Sequence, residues 1–178
     1  LLIAQDMHEL EDAVQLLWQH NLCFQILGSG SNVLISDLAM REVIIINRAR
    51  NIKVDAQHTP PSVWAESGAN FGAIARQVAL RGLSGLEWAN SIPGAIGGAV
   101  YGNAGAHGSD MQHDLILAEI LHRTHGKQVW TCEQMEFSYR SSILKRNPGQ
   151  AVILAARLRL QASTPEEVKN QMDAFRER

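Results

Sequence analysis

The stretch G-A-I-G-G-A-V-Y-G-N-A-G-A-H-G, residues 94–108, decides how this chain is interpreted. It holds six glycines, together with four alanines, an isoleucine and a valine. Closely spaced glycines permit positive φ and let a backbone approach a ligand, while the small apolar residues allow burial. Buried amides and carbonyls need hydrogen-bond partners, which a flat cofactor with polar edges supplies. We therefore expect this glycine-rich segment to be neither a regular strand nor a regular helix, and to face a cofactor.

The alternative for the glycine-rich segment is a Gly/Ala-rich helix that packs closely on another element. Each glycine in a helix interior costs about 1 kcal/mol, which argues against that alternative. The residues before the segment, 85–88 and 91–93, extend it backward. Within them Pro93 fixes φ and lacks a backbone donor, and further along Asn103 offers a side-chain amide.

A second candidate is the Gly-Ser loop, residues 28–32, with the sequence G-S-G-S-N. It follows a predicted buried strand at 24–27, and its backbone N–H groups suit a phosphate-binding nest. It is not a dinucleotide-fold fingerprint, because Val33 stands at the third glycine position and a strand, not a helix, is predicted to follow. The alternative here is an ordinary tight turn.

A third candidate is the Tyr-Arg segment, residues 137–145, with the sequence F-S-Y-R-S-S-I-L-K. Its Tyr, Arg, Ser and Lys side chains can bind an anionic substrate, and Arg140 could hold a carboxylate bidentately and stabilise charge that develops beside it. The alternative is a surface loop whose arginine pairs with an acid.

The bulk composition is that of a globular protein, with 178 residues, 46% hydrophobic and 19% charged residues. The net charge of −2 gives no electrostatic case for nucleic acid or an anionic membrane. No apolar run approaches the length of a membrane span. Cys23 and Cys132 form no metal or redox motif, so reduced thiols in the cytoplasm are expected. Both ends resemble interrupted elements, which suggests a fragment of a longer protein.

No metal site is expected from the sequence. His107 and His113 have no cysteine or acidic cluster at ligand spacing. His122 and His125 are three residues apart, but across a hairpin turn they need not converge.

Hydrophobic periodicity and capping residues predict a mixed α and β chain. Helices are predicted at 7–20, with Asp6 as N-cap, from Asn70 to about Gly82, and from Thr164 to Arg178. Strands are predicted at 1–4, 24–27, 33–36, 43–47, 51–56, 63–67, 115–122, 128–131 and 151–160. We divide the chain into a first α/β lobe at 1–60, a second lobe at 61–162, and a helix at 163–178.

With these segments in order, the chain resembles the UDP-N-acetylenolpyruvoylglucosamine reductase (MurB) family. The resemblance rests on I-L-G-S-G-S-N-V-L-I-S-D (26–37), G-L-E-W-A-N-S-I-P-G-A-I-G-G-A-V-Y-G-N-A-G-A-H-G (85–108) and F-S-Y-R-S-S-I-L-K (137–145). It implies an α+β fold, namely a two-lobed FAD-binding domain of the vanillyl-alcohol-oxidase / p-cresol methylhydroxylase type. The Gly-Ser loop alone indicates only that wider family, whereas the Tyr-Arg pair is more specific to the reductase.

The resemblance also implies an activity and its residues. NADPH would reduce FAD, and the reduced flavin would reduce the enolpyruvyl group of a UDP-sugar to give UDP-N-acetylmuramate. Arg140 and Tyr139 would be catalytic, with Arg140 polarising the enolpyruvyl carboxylate. The implied cofactor-binding residues are Gly28, Ser29, Gly30, Ser31, Asn32, Leu34, Ser91, Ile92, Pro93, Gly94, Gly97, Gly98, Asn103, Gly105 and Ala106.

The chain departs from the family pattern at Asn90-Ser91, which replaces a smaller pair, and at His107, where Tyr is frequent. A third, substrate-binding domain with the family's proton donor would begin after Arg178, so no residue here takes that role. The implied partner is a nucleotide-sugar, with no obligate protein partner evident. Two alternatives stay open: another flavoprotein oxidase or dehydrogenase of the same fold, and a non-catalytic FAD-binding module.

Overall fold

A computed structural model describes residues 1–38 and 41–177. In this part of the chain, helices α1 to α6 cover Met7–Gln19, Phe71–Ala79, Ile96–Tyr101, Met111–Asp114, Ile143–Arg146 and Pro165–Arg176. Strands β1 to β12 cover Leu2–Ala4, Phe24–Leu27, Val43–Asn47, Ile52–Asp55, Ser62–Glu66, Leu83–Ser84, Gly105–Ala106, Ser109–Asp110, Leu115–His122, Gly126–Thr131, Ala151–Arg159 and Gln161–Ala162. Short 3₁₀ turns cover Glu87–Ala89 and Glu133–Met135.

The first sheet is parallel, with the strand order β1-β3-β2, and α1 connects β1 to β2. Helix α1 begins where predicted because the Asp6 carboxylate accepts the amides of His8 and Glu9, each at 2.9 Å. The Glu9 carboxylate in turn accepts the amide of Gln5 at 2.8 Å. The prediction of a helix at 7–20 is therefore confirmed to within one residue.

The second sheet is antiparallel, with the order β10-β9-β11-β5-β4. Its central strand β11 is almost wholly buried, which explains the long apolar run in the sequence. The predicted hairpin at 115–131 is confirmed as β9 and β10, in which Gly126 pairs with His122. The helix caps are also confirmed: Asn70 accepts the amide of Ala73 at 2.8 Å before α2, and Thr164 caps α6.

The two sheets share part of one core. A cluster of buried side chains joins α1 and the first sheet to strands β9 and β11 of the second, namely Ala4, Leu10, Val14, Leu17, Ile45, Leu121, Val152 and Leu154. The boundaries at residues 60 and 162 stay predictions, although β4 lies before the first of them and pairs with β5 after it. Arg178, the predicted end of the last helix, lies outside the described residues, and α6 ends at Arg176.

Two predictions of secondary structure were wrong. Residues 33–36 form no strand; they have no regular structure and are exposed, with Leu34 99% exposed. A short apolar run predicts a strand only if a neighbouring strand pairs with it, and within the described residues none does.

The glycine-rich segment is not irregular throughout, because residues 96–101 form α3. Its glycines allow a close approach: a Cβ on Gly97 would lie 2.8 Å from the Cβ of Ser67. The amides of Ile96 and Gly97 donate to the carbonyls of Ala69 and Ser67, at 2.9 and 2.8 Å. The alternative of a closely packed helix therefore describes this part of the segment.

No helix in the described ranges is both long and apolar enough to cross a membrane.

Candidate functional site

The Gly-Ser loop lies at the carboxyl end of β2 and is exposed from Ser29 to Asn32. Gly30 has a φ of +70°, and a Cβ placed there would meet nothing within 4 Å. Within residues 1–38 and 41–177, the amides of Ser29 to Asn32 donate no hydrogen bond. Exposed amides in a glycine-rich turn suit an anion such as a phosphate.

The Gly-Ser loop touches the start of the glycine-rich segment. A Cβ on Gly28 would lie 2.7 Å from the Cβ of Ala95, and a Cβ on Gly94 would lie 3.0 Å from Oγ of Ser31. Gly94 also has a φ of +126°, a conformation that L side chains rarely adopt. Side-chain-free backbone at both positions is what lets these two segments meet.

The start of the glycine-rich segment is fixed from behind by α2. The carbonyl of Gly94 accepts the amide of Phe71 at 3.0 Å, and Ala95 forms a bridge with Asn70. The residues immediately before it lie between the 3₁₀ turn and α3, with Ser91 and Pro93 exposed and Ile92 half-buried. The segment is therefore anchored on one side and open on the other.

Glycines within the segment fall into two groups. Gly97 and Gly105 allow close packing, since a Cβ on Gly105 would lie 2.8 Å from the carbonyl oxygen of Ser109. Gly98 is exposed, and a Cβ there would meet nothing within 4 Å. Ala106 follows Gly105 in the short strand β7.

Asn103 joins the glycine-rich segment to the Tyr-Arg segment. It is 4% exposed, and its Nδ2 donates to the carbonyl of Ser138 at 3.1 Å. Its Oδ1 accepts the amide of Gln112 at 3.0 Å. A second link runs from the buried Ser142, whose Oγ donates to the carbonyl of Tyr101 at 2.7 Å.

Tyr139 and Arg140 lie at the exposed tip of this turn. Tyr139 is 91% exposed, and Arg140 has a φ of 55°. The Arg140 guanidinium donates to the carbonyl of Gly105 at 3.2 Å, and Nζ of Lys145 donates to the carbonyl of Arg140 at 2.9 Å. Of the ion pairs formed within the described ranges, none involves Arg140. The alternative of an arginine paired with an acid therefore has no partner there, and the guanidinium can accept an anion.

The far end of the glycine-rich segment packs on α6. The ring of His107 stacks on that of Phe175, with centroids 4.5 Å apart and an interplanar angle of 13°. This contact places the helix that leads toward the carboxyl terminus directly against the candidate site.

Two ionisable groups beside the site have shifted pKa values. Burial raises the pKa of the Asp114 carboxyl, which accepts hydrogen bonds from Nε1 of Trp88 and Nδ1 of His113, each at 2.7 Å. Partial burial also raises the pKa of the Tyr101 phenol. Both groups therefore favour their neutral forms more than they would in water.

The structure thus joins the three sequence-predicted segments, although not through every predicted residue. The Gly-Ser loop meets Gly94, and Asn103 and Gly105 meet the Tyr-Arg segment. Leu34 and Tyr139 are almost fully exposed, and no contact joins either side chain to the other predicted residues within the described ranges. Sequence reasoning missed Ala95 as a contact of Gly28, because the two residues lie far apart in the chain and no local signal pairs them.

Among the described residues, no three His, Cys, Asp or Glu side chains form a group that could hold a metal ion. The sequence left open whether His122 and His125 converge, and in the structure their Nδ1 atoms lie 3.0 Å apart. They stand at positions i and i+3 of a turn, whose ends are close in space.

A family model described as an FAD binding domain matches residues 1–131. The UDP-N-acetylenolpyruvoylglucosamine reductase of Rubrobacter xylanophilus is 38% identical over 99% of this chain, which covers 58% of that protein. The crystal structure of the MurB reductase from Thermus caldophilus has a TM-score of 0.80 at 27% identity, over 98% of this chain and 60% of that one. Cholesterol oxidase from Brevibacterium sterolicum has a TM-score of 0.66 at 12% identity, over 90% of this chain and 34% of that one, and shares the fold alone.

The chain thus spans a little over half the length of the curated relatives it matches. The matched fold is the α+β, two-lobed FAD-binding domain of the vanillyl-alcohol-oxidase type that the resemblance implied. Within the described residues, the open amides of the Gly-Ser loop and the Arg140 guanidinium, which forms no ion pair there, could hold anionic groups such as phosphate and carboxylate. On this match and this geometry, the chain belongs to the FAD-binding domain family.

Proposed function

We propose that this chain is the FAD-binding portion of an enzyme that reduces UDP-N-acetylglucosamine enolpyruvate to UDP-N-acetylmuramate in peptidoglycan precursor synthesis. NADPH is the proposed reductant. The carrying observation is the contact of the Gly-Ser loop with the glycine-rich segment, next to a Tyr-Arg segment tied to the same backbone. The reductases that match nearly the whole chain support this assignment.

In this proposal the two contacting segments hold FAD, the cofactor of the family. Amides and hydroxyls of residues 28–32 take the pyrophosphate, with Leu34 beside them. The residues that would hold the flavin and its ribityl chain are Ser91, Ile92, Pro93, Gly94, Gly97, Gly98, Asn103, Gly105 and Ala106. Bound FAD supplies hydride transfer, which no amino-acid side chain provides.

Arg140 and Tyr139 act on the substrate. The guanidinium binds the enolpyruvyl carboxylate and stabilises the negative charge that develops next to it during reduction. The hydrogen bond to the carbonyl of Gly105 and the support from Lys145 hold Arg140 over the glycine-rich segment. Tyr139, exposed beside it, contacts the substrate from the same turn.

The setting is proposed to be the cytoplasm, with a nucleotide-sugar as the small-molecule partner and with no nucleic acid or membrane partner. The two cysteines are free thiols, which suits a reducing compartment.

A chimera tests this function. Residues 1–178 replace the matching segment of the Rubrobacter xylanophilus reductase, and NADPH oxidation is followed with the enolpyruvyl sugar as substrate. We expect substrate-dependent oxidation by the chimera and none by the 178-residue chain alone. Rapid oxygen consumption without any response to the enolpyruvyl sugar would instead favour an oxidase. FAD binding with neither activity would favour a non-catalytic module.

Arg140→Ala in that chimera separates binding from catalysis. Loss of a group that stabilises developing charge slows a reaction by about 10²–10³-fold, so we expect slow substrate reduction with unchanged FAD affinity. Arg146→Ala is the matched control, because Arg146 lies in the same region but pairs with Glu136 at 2.8 Å. Equal rates for the Arg140 variant and the unchanged chimera would remove Arg140 from the reaction.

A further inference from the structure

Two imidazole nitrogens and one hydroxyl oxygen lie close together at the tip of the β9–β10 hairpin. This hairpin has no part in the proposed cofactor site. The Nδ1 atoms of His122 and His125 lie 3.0 Å apart. The hydroxyl of Thr124 lies 3.2 Å from the first nitrogen and 3.0 Å from the second. The three atoms therefore form a nearly equilateral triangle.

The dimensions of this triangle match one face of a metal coordination sphere. A metal–imidazole bond is about 2.0–2.1 Å long, so two donors at right angles around one ion lie about 3.0 Å apart. Imidazole is a preferred ligand of copper, nickel and zinc ions, and tetragonal geometry is typical of Cu²⁺ and Ni²⁺. We propose that His122, His125 and Thr124 form a surface site for a divalent transition-metal ion, strongest for Cu²⁺.

The two basic side chains nearest to the triangle in the sequence both bond elsewhere. Lys127 pairs with Glu11, which offsets its charge, whereas the Arg123 guanidinium keeps its charge and donates to Oδ1 of Asn21 at 3.0 Å. A cleft of about 320 Å³ between α1 and the hairpin is lined by His122 and Trp18. Thr124 and His125 are exposed, so water can reach the triangle.

The competing explanation is a set of hydrogen bonds without a metal. The Nδ1 atom of His122 is approached by the amide of Thr124 at 3.2 Å, by the Thr124 hydroxyl and by the His125 ring. One nitrogen lone pair accepts one good hydrogen bond, so these three groups cannot all donate well to it. A metal ion replaces that competition with two imidazole bonds and one hydroxyl contact.

The test is a titration of the chain with CuCl₂ in a buffer that does not chelate, followed by electron paramagnetic resonance and by tryptophan fluorescence. We expect one tightly bound ion with two nitrogen ligands, and quenching of Trp130, whose ring centroid lies 6.2 Å from that of His122. NiCl₂ and ZnCl₂ should bind more weakly, in keeping with the order of affinities for nitrogen ligands.

Variants locate the site. Loss of a residue outside the ligand shell commonly costs 10–100-fold in metal affinity, so His125→Ala, which removes a ligand, should weaken Cu²⁺ binding by more than about tenfold. Thr124→Val should weaken it less. His58→Ala is the matched control, because His58 is an exposed histidine on a different loop whose Nδ1 lies 2.8 Å from the carbonyl oxygen of Pro60.

Two results would overturn the proposal. One is a Cu²⁺ affinity in His125→Ala equal to that of the unchanged chain. The other, which needs no variant, is a nuclear magnetic resonance titration in which Cu²⁺ broadens the signals of His58 as much as those of His122 and His125. Either result would leave the triangle as a hydrogen-bonded turn.

Discussion

The two sides of the candidate site differ in how firmly the chain itself holds them. The Tyr-Arg segment is tied to the glycine-rich segment by hydrogen bonds that involve Asn103, Arg140 and Ser142. Within the described ranges, the Gly-Ser loop meets the same segment through packing of Gly28 near Ala95 and of Ser31 near Gly94, and its exposed amides donate no hydrogen bond. The proposed substrate side is thus built by internal hydrogen bonds, whereas the proposed pyrophosphate side leaves its backbone donors open.

The largest expected effect breaks the internally bonded side. Asn103→Ala removes a buried amide and leaves the carbonyl of Ser138 and the amide of Gln112 without this partner. Lost partners of buried polar groups cost about 1–3 kcal/mol, so we expect the free energy of unfolding to fall by about 2 kcal/mol. Urea denaturation measures this free energy of unfolding.

The control for Asn103 is Asn147→Ala. Asn147 is exposed and donates one hydrogen bond to the carbonyl of Ile143 at 3.0 Å, so its loss should cost at most about 1 kcal/mol. Equal losses for the two variants would mean that the buried link does not hold the Tyr-Arg segment.

The next largest effect is expected from a substitution in the Gly-Ser loop. Gly28→Ala places a Cβ 2.7 Å from that of Ala95, and at this position no positive φ adds backbone strain. The two segments must move apart, so we expect FAD to bind about tenfold more weakly, which equals about 1.4 kcal/mol. Fluorescence titration of FAD into the chain measures the affinity.

Gly149→Ala is the control for this variant. Gly149 has a φ of +79° in a turn where a Cβ meets nothing within 4 Å. Its substitution should lower stability through strain but leave FAD affinity unchanged. Unchanged FAD affinity in Gly28→Ala would show that the contact between the segments is not needed by the cofactor.

Much of this framework was predictable because its helix caps and its hairpin are formed by residues that lie close together in the sequence. The caps at Asp6, Asn70 and Thr164 use side chains within three residues of the amides they accept, so sequence alone contains both partners. The same holds for the hairpin of β9 and β10, where alternating residues flank a turn.

The wrong predictions concern segments whose structure depends on contacts with distant parts of the chain, which sequence spacing does not reveal. Residues 33–36 have strand-like composition, but whether they pair depends on a neighbouring strand elsewhere in the chain. The glycines of 97 and 98 argued against a helix on intrinsic cost, yet the close approach to Ser67 needs a glycine at 97. Tertiary packing outweighed propensity in both places.

A smaller effect is expected at Gly98, in the glycine-rich segment that both the Gly-Ser loop and the Tyr-Arg segment contact. In Gly98→Ala the new Cβ meets nothing within 4 Å, and alanine in a helix interior is more stable than glycine by up to about 1 kcal/mol. We therefore expect the chain without FAD to become slightly more stable but to bind FAD more weakly, because the methyl group occupies the proposed flavin face.

The neighbouring glycine is the matched control. Gly97→Ala places a Cβ 2.8 Å from that of Ser67, so it should destabilise the chain even without FAD. Thermal unfolding with and without FAD measures both variants. FAD affinity in Gly98→Ala equal to that of the unchanged chain would move the cofactor away from the exposed face of α3.

The smallest effect concerns the pH dependence of stability at Asp114, which ends α4, the helix whose Gln112 amide donates to Asn103. Burial raises the pKa of Asp114 above its ordinary value of 3.8, so the folded chain binds this proton more tightly than the unfolded chain does. The free energy of unfolding contributed by Asp114 therefore falls as pH rises from that ordinary value through the raised one.

Asp114→Asn cannot ionise, and its amide oxygen can still accept from Trp88. We expect the stability of the unchanged chain, measured relative to this variant by urea denaturation, to be higher near pH 4 than near pH 7. A difference that stays constant or grows with pH would mean that the hydrogen bonds from Trp88 and His113 outweigh the burial of the carboxylate.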